Sequence, residues 1–148
     1  MRSKAPLLLM EQMVMLLVFA LAAALCVQAF VKSDAVSARG EARDNAVIAA
    51  QTAAETIRLA GGSPEEALAA AASVLPDAEF TDGTLRQCLD GEWSAVPAAS
   101  SDAEYTLAAQ PLPEEQPGLS KAEIAVASRE ETLFTIEVAW QSPLDSGN

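Results

Sequence analysis

Glu11 is the one charged residue in the stretch LLLMEQMVMLLVFALAAALCVQAFV, Leu7 to Val31. A carboxylate beside so much apolar chain finds a cationic partner, stays at headgroup level, or shifts its pKa until it is neutral. The chemistry it could do is therefore ion pairing rather than reaction. Elsewhere, groups that could react are few. The chain has no histidine, which removes the commonest general base and the commonest zinc ligand together. The pairs Glu65-Glu66, Glu114-Glu115 and Glu130-Glu131 would suit carboxylate catalysis or calcium, but adjacent residues on a helix or strand point apart. Asp77, Asp82 and Asp90 fall at turns, without the spacing of a calcium loop. Ser120 beside Lys121 is no nucleophile–base dyad, because successive strand residues face opposite sides. Cys26, inside the apolar run, and Cys88, far downstream, read as unpaired packing residues, and Trp93 and Trp140 as packing on a sheet face. No catalytic, cofactor or metal site is expected, and the chain is not expected to be an enzyme.

The charge distribution narrows the partners. Net charge is −12 over 148 residues, and only Arg2 and Lys4 precede the apolar run. Nearly all the acidity therefore lies downstream of it. Direct nucleic-acid binding, which needs clustered Lys and Arg against phosphate, is not expected.

Those residues have to be positioned by two very different halves of the chain. From Gln12 to Val31 the only polar side chains besides Cys26 are Gln12 and Gln28. About twenty helical residues rise ~30 Å, the thickness of a bilayer's hydrocarbon core. The favoured expectation is an uncleaved transmembrane helix. A cleaved secretory signal, with the basic start MRSK and a small-residue site at Val27-Gln28-Ala29, is an alternative. A lipid anchor on Cys26 is another, although Leu25 stands where a small residue is wanted. Basic residues flank both ends (Arg2 and Lys4; Lys32, Arg39 and Arg43), so charge counting does not orient the span, but long domains translocate largely regardless of charge. The expected localisation is a cell membrane, with a cytoplasmic N-terminus and an extracytoplasmic C-terminal domain.

Past Val31 the helical composition continues without a proline before Pro64. Val47, Ala50, Ala54 and Ile57 share one face, and Gly61-Gly62 supplies a left-handed stop. One helix is expected from about Leu7 to Ala60, transmembrane in its lower half and amphipathic in its upper half, with Gly40 as its weak point. Ser63, Pro64 and Glu66 form a capping-box start for a short helix over Pro64 to Val74, ended before Pro76. Asp90-Gly91 is the strongest two-residue hairpin signal. Tyr105, Leu107 and Ala109 alternate, PLPEEQPG reads as a loop, and a second hairpin sets Ala122, Ile124 and Val126 against Phe134, Ile136, Val138 and Trp140. Five short strands after helix make an α+β fold, its sheet covering the apolar stripe of the long helix. The expected organisation is a leader over 1–6, a transmembrane helix over 7–31, a helical spine over 32–60 and an α+β head over 61–148.

In its order of parts the chain resembles the type IV pilin-like family, including the pseudopilins of type II secretion and competence machines. The basic start MRSKAP, the apolar run with one glutamate near its beginning, the outward helical spine and the C-terminal antiparallel sheet carry the resemblance. It implies a prepilin peptidase cut between Pro6 and Leu7, which makes Glu11 the fifth residue of the mature chain. Where the family has glycine, or occasionally alanine, before the cut, this chain has Pro6. The resemblance further implies that Glu11 pairs with the freed N-terminal amine of a neighbouring subunit during assembly. The expected function is that of a structural subunit in a secretion, DNA-uptake or adhesion filament, with the membrane and other pilin-like subunits as partners. The alternatives are a membrane-anchored extracytoplasmic binding domain with no assembly role, and an acidic domain secreted after signal cleavage.

Overall fold

The structure is a computed structural model that describes residues 5–142; Arg2 and Lys4 of the expected leader lie outside the described residues. The chain divides into two compact units, Met1–Glu41 and Ala42–Asn148. A single helix, α1 (Ala5–Ala60), contributes to both. In the first unit every described side chain is exposed. In the second, α1 buries Ala46, Ala50, Ala53, Ala54 and Ile57, one face of a helix. The expected stripe is there, with Val47 half-buried at its margin and Ala46 and Ala53 added to it.

Gly61 (φ 62°) and Gly62 (φ 84°) end α1 in the left-handed region, where a Cβ would be strained. The chain then re-enters helix as α2 (Pro64–Val74). Ser63 caps it: the Glu66 backbone N–H donates to Ser63 Oγ at 3.4 Å, and the Ser63 N–H donates to Glu66 Oε2 at 3.1 Å. Ala67, Leu68 and Ala71 are its buried residues.

Among the described residues six antiparallel strands follow: β1 (Ala78–Thr81), β2 (Thr84–Leu89), β3 (Ala95–Val96), β4 (Tyr105–Leu112), β5 (Leu119–Ser128) and β6 (Thr132–Gln141). The sheet order is β1-β2-β4-β5-β6, with β3 following β1 along the same edge of β2. The α+β class and the antiparallel sheet are as expected, with one strand more than the five anticipated. The extra strand, β1, is only four residues long and joins β2 through Asp82 (φ 52°) and Gly83 (φ 75°). Two consecutive positive φ values between paired Thr81 and Thr84 make the two-residue primed turn that matches strand twist.

Asp90-Gly91 therefore does not form the two-residue turn of this sheet. Its hairpin, β2–β3, has a longer loop, because the Asp90 carboxylate accepts the backbone N–H groups of Glu92 and Ser94, both at 2.9 Å. The Trp93 N–H donates to Asp90 O, and the left-handed position falls on Trp93 (φ 63°) instead of on the glycine. The proline-rich loop also starts later than expected. Pro111 and Leu112 belong to β4, with Pro111 opposite Ala122. Pairing with β2 stops at Ala109, so at Pro111 β4 has a neighbour on one side only, where a missing N–H is tolerated.

The β5–β6 register is the expected one: Ala122 opposite Val138, Ile124 opposite Ile136 and Val126 opposite Phe134. These side chains join Leu85, Leu107 and Ala109, the α2 residues and the α1 stripe in one core. Its largest fully buried members are Ile57, Leu68, Leu85, Leu107, Ile124 and Val126, each worth about 1.5–3 kcal/mol by transfer from water. Alanine supplies the rest, which allows close packing at little side-chain entropy cost. Trp140, opposite Ser120, closes one end of this core and donates its Nε1–H to the carbonyl of Gly62 at 3.0 Å. The C-terminal strand is thereby tied to the junction between the two helices.

Candidate functional site

The residues expected to carry function lie on the first turns of α1. Pro6 sits in the opening turn, where a missing N–H breaks no helical hydrogen bond. Leu7 is 73% exposed. Glu11 is exposed and has no hydrogen bond or ion pair among the described residues. The structure thus places Pro6, Leu7 and Glu11 on one helix and, among the described residues, brings none of them to a partner.

What surrounds Glu11 is a helical surface of unusual composition for solvent. Leu8, Leu9, Met10, Met13, Val14, Met15, Leu16, Leu17, Val18 and Phe19 are all more than half exposed, and so are Leu21, Leu25, Val27, Phe30 and Val31. Among the described residues one helix is therefore long and apolar enough to cross a membrane, and none of its apolar window is buried. Contiguous apolar surface on this scale marks contact with lipid or protein.

In the second unit the reactive residue types are absorbed by structure. Glu66 completes the α2 cap, and its two hydrogen bonds with Ser63, the one from the backbone N–H first, hold its carboxyl below the ordinary range. Glu115 is paired with Lys121, which lowers its pKa in the same direction through a hydrogen bond and charge. In the β5–β6 turn Ser128 Oγ accepts the N–H groups of Glu130 and Glu131, at 3.3 and 3.2 Å. Ser120 is fully buried, its hydroxyl without a hydrogen-bond partner, while Lys121 faces the other way toward Glu115. They form no dyad. Cys26 is exposed on α1 and Cys88 is buried in β2; both thiols are free. Among the described residues no group of three or more acidic, Cys or His side chains converges as metal ligands would.

Three further features of the head were not anticipated. Trp93 stacks on Tyr105 with ring centroids 4.1 Å apart and planes 16° from parallel. That contact holds a bulky residue in the left-handed region, which otherwise costs of order 1 kcal/mol or more. Beside it runs a shallow groove of about 270 Å³ between Ile48 and Thr52 of α1 and Leu75, Gln87, Leu89 and Trp93. The two aromatic residues are visible in the sequence, Trp93 in the β2–β3 loop and Tyr105 at the start of β4, but a stack across a loop has no periodicity to betray it. Arg129, in the β5–β6 turn, donates to the carbonyl of Ala103 at 2.7 Å and pins the loop before β4. No protein-family model, characterised protein or solved structure matches the chain.

Proposed function

We propose that the chain is a single-pass membrane protein of pilin-like type, a structural subunit of a secretion, DNA-uptake or adhesion filament. One observation carries the reading: α1 combines a wholly exposed apolar stretch long enough for a bilayer with a farther stretch whose alanine stripe is buried in the core of an antiparallel α+β head. An ordinary anchor needs only the first of these properties. A spine that is gripped by its own head and also has an exposed apolar surface has both, and so suits a subunit that leaves lipid to pack against other spines.

In this reading Leu7 to Val31 holds the subunit in the membrane before assembly, with the N-terminus cytoplasmic and the head extracytoplasmic. A prepilin peptidase cuts after Pro6, and the new amine of one subunit compensates Glu11 of the next. Among the described residues Glu11 has no partner, and in this reading its partner comes from a neighbouring subunit. Pro6, in place of glycine before the cut, favours a second reading: a membrane-anchored extracytoplasmic domain that is never processed and never assembles.

Intact mass of the membrane-extracted protein separates the readings. Loss of residues 1–6, leaving Leu7 as the first residue, is the expected result. An unprocessed N-terminus would leave the anchored domain standing, and a chain beginning at Phe30 would mean secretion. Glu11→Ala is expected to abolish incorporation into filaments while leaving membrane insertion intact; incorporation at the native level refutes the role given to Glu11.

A further inference from the structure

The two edges of the sheet are finished differently. At one edge β1 is four residues long and β3 two, and together they cover β2. At the other, β6 extends for ten residues, roughly 33 Å at strand rise. Among the described residues its only strand partner is β5. Among the described residues no backbone group from Thr132 to Gln141 bonds to anything beyond that ladder. Natural edges are usually blunted by lysine, proline, bulges or shortness. The sequence TLFTIEVAWQ has no proline and no lysine, and Glu137 is its one charge. The bulge in this hairpin is on β6 at Leu133, since the consecutive Val126 and Ala127 of β5 face Phe134 and Thr132; from Phe134 to Gln141 the edge has no further bulge.

The two faces of β6 specify what could lie beside it. Toward the core, Phe134, Ile136 and Val138 are only half-buried, packed against the core on one side and open on the other. On the outer face Glu137 stands directly opposite Glu123 of β5, and both are exposed. Like charges directly opposite each other on antiparallel strands are unfavourable. Among the described residues neither carboxylate has a cation, since the one ion pair there commits Lys121 to Glu115.

We infer that β6 is a docking edge that accepts an extended segment of a partner protein as a seventh strand. The added strand would complete the backbone ladder, place apolar side chains beside Phe134, Ile136 and Val138, and bring a lysine or arginine to Glu137. The cation requirement selects a basic segment over the β6 edge of a second copy, which has no lysine or arginine and would bring only another Glu137. The inference uses only residues of the head and stands apart from the reading of α1.

The test uses the full chain in detergent and the peptide Thr-Val-Thr-Val-Lys-Val-Thr-Val-Thr, with a twin carrying Glu in place of Lys. The lysine peptide is expected to slow hydrogen exchange at alternate amides of Thr132–Gln141. It should bind about fivefold more tightly than its twin, the scale of exchanging a like for an opposite cross-strand pair. Glu137→Lys, an exposed substitution, should reverse that preference. Absence of protection in β6 by either peptide overturns the docking edge, and equal binding of the two overturns the charge selection. Concentration-dependent protection of β6 without peptide would make a second copy the occupant and overturn the partner named here.

Discussion

The Trp140 contact gives the sharpest measurable consequence of the packing. Trp140 is 5% exposed, and its Nε1–H reaches the Gly62 carbonyl at 3.0 Å. Trp140→Phe keeps an aromatic ring against Ser120 and the core but removes the donor. The lost hydrogen bond costs about 1 kcal/mol, because Gly62 is only half-buried and water can reach its freed carbonyl. The smaller ring loses about 1 kcal/mol more in apolar contact. A head destabilised by about 2 kcal/mol should unfold at a urea midpoint lower by ~1 M, for slopes of about 1–3 kcal/mol per molar urea. The assay is simplified by the substitution itself, since Trp93 becomes the single tryptophan left to report. Trp140→Ala should cost about 3–5 kcal/mol, setting the upper bound. A midpoint unchanged by Trp140→Phe, or equal for the two variants, would refute the idea that the indole N–H ties β6 to the junction of the helices.

Two further predictions concern the helices. Glu66 has a lowered folded-state pKa, so its contribution is complete above the ordinary carboxylate value of 4.5 and is lost as pH falls through the lowered one. Urea midpoints of Glu66→Gln measured from neutral pH down through that window should fall less steeply than those of the parent; parallel curves would show that the cap carboxylate does not contribute. At Gly40 an added Cβ meets nothing within 4 Å, so Gly40→Ala should stabilise the middle of α1 by about 1 kcal/mol. Hydrogen exchange of neighbouring amides should slow about fivefold, and an unchanged rate would mean that helix propensity does not limit opening there.

Much of this architecture is legible from local chemistry. Ser63, Pro64 and Glu66 announce the start of α2, and Gly61-Gly62 the end of α1, because capping depends on residues within one turn of each other. The β5–β6 pairing is equally readable, since a one-residue slip would put Ile124, Ile136 and Val138 on the wrong face. The turns were less so. Asp82-Gly83 and Asp90-Gly91 are the same dipeptide, and what separates them is whether the aspartate side chain captures N–H groups farther along, as Asp90 does. The four residues of β1 carry too short an alternation to stand out without β2 beside them. Trp140 finding Gly62 is a contact across most of the head, invisible to any local pattern. For Pro6, Leu7 and Glu11 the sequence supplies the residue types, while their proposed partners belong to other molecules.

The order β1-β2-β4-β5-β6 has a kinetic side. Apart from β2 meeting β4 across the short β3, each strand pairs with its successor in the chain, so the sheet can assemble by closing short loops in turn. The stripe from Ala46 to Ile57 is different: it must find Leu107, Ile124 and Val126 across a long stretch of intervening chain. Docking of α1 is therefore expected to be the late event in folding, with the meander of β4, β5 and β6 already formed. Substitutions such as Ile124→Val should slow folding, while Ala50→Gly should chiefly speed unfolding. A head that folds in this order forms its sheet first and closes onto its helix last.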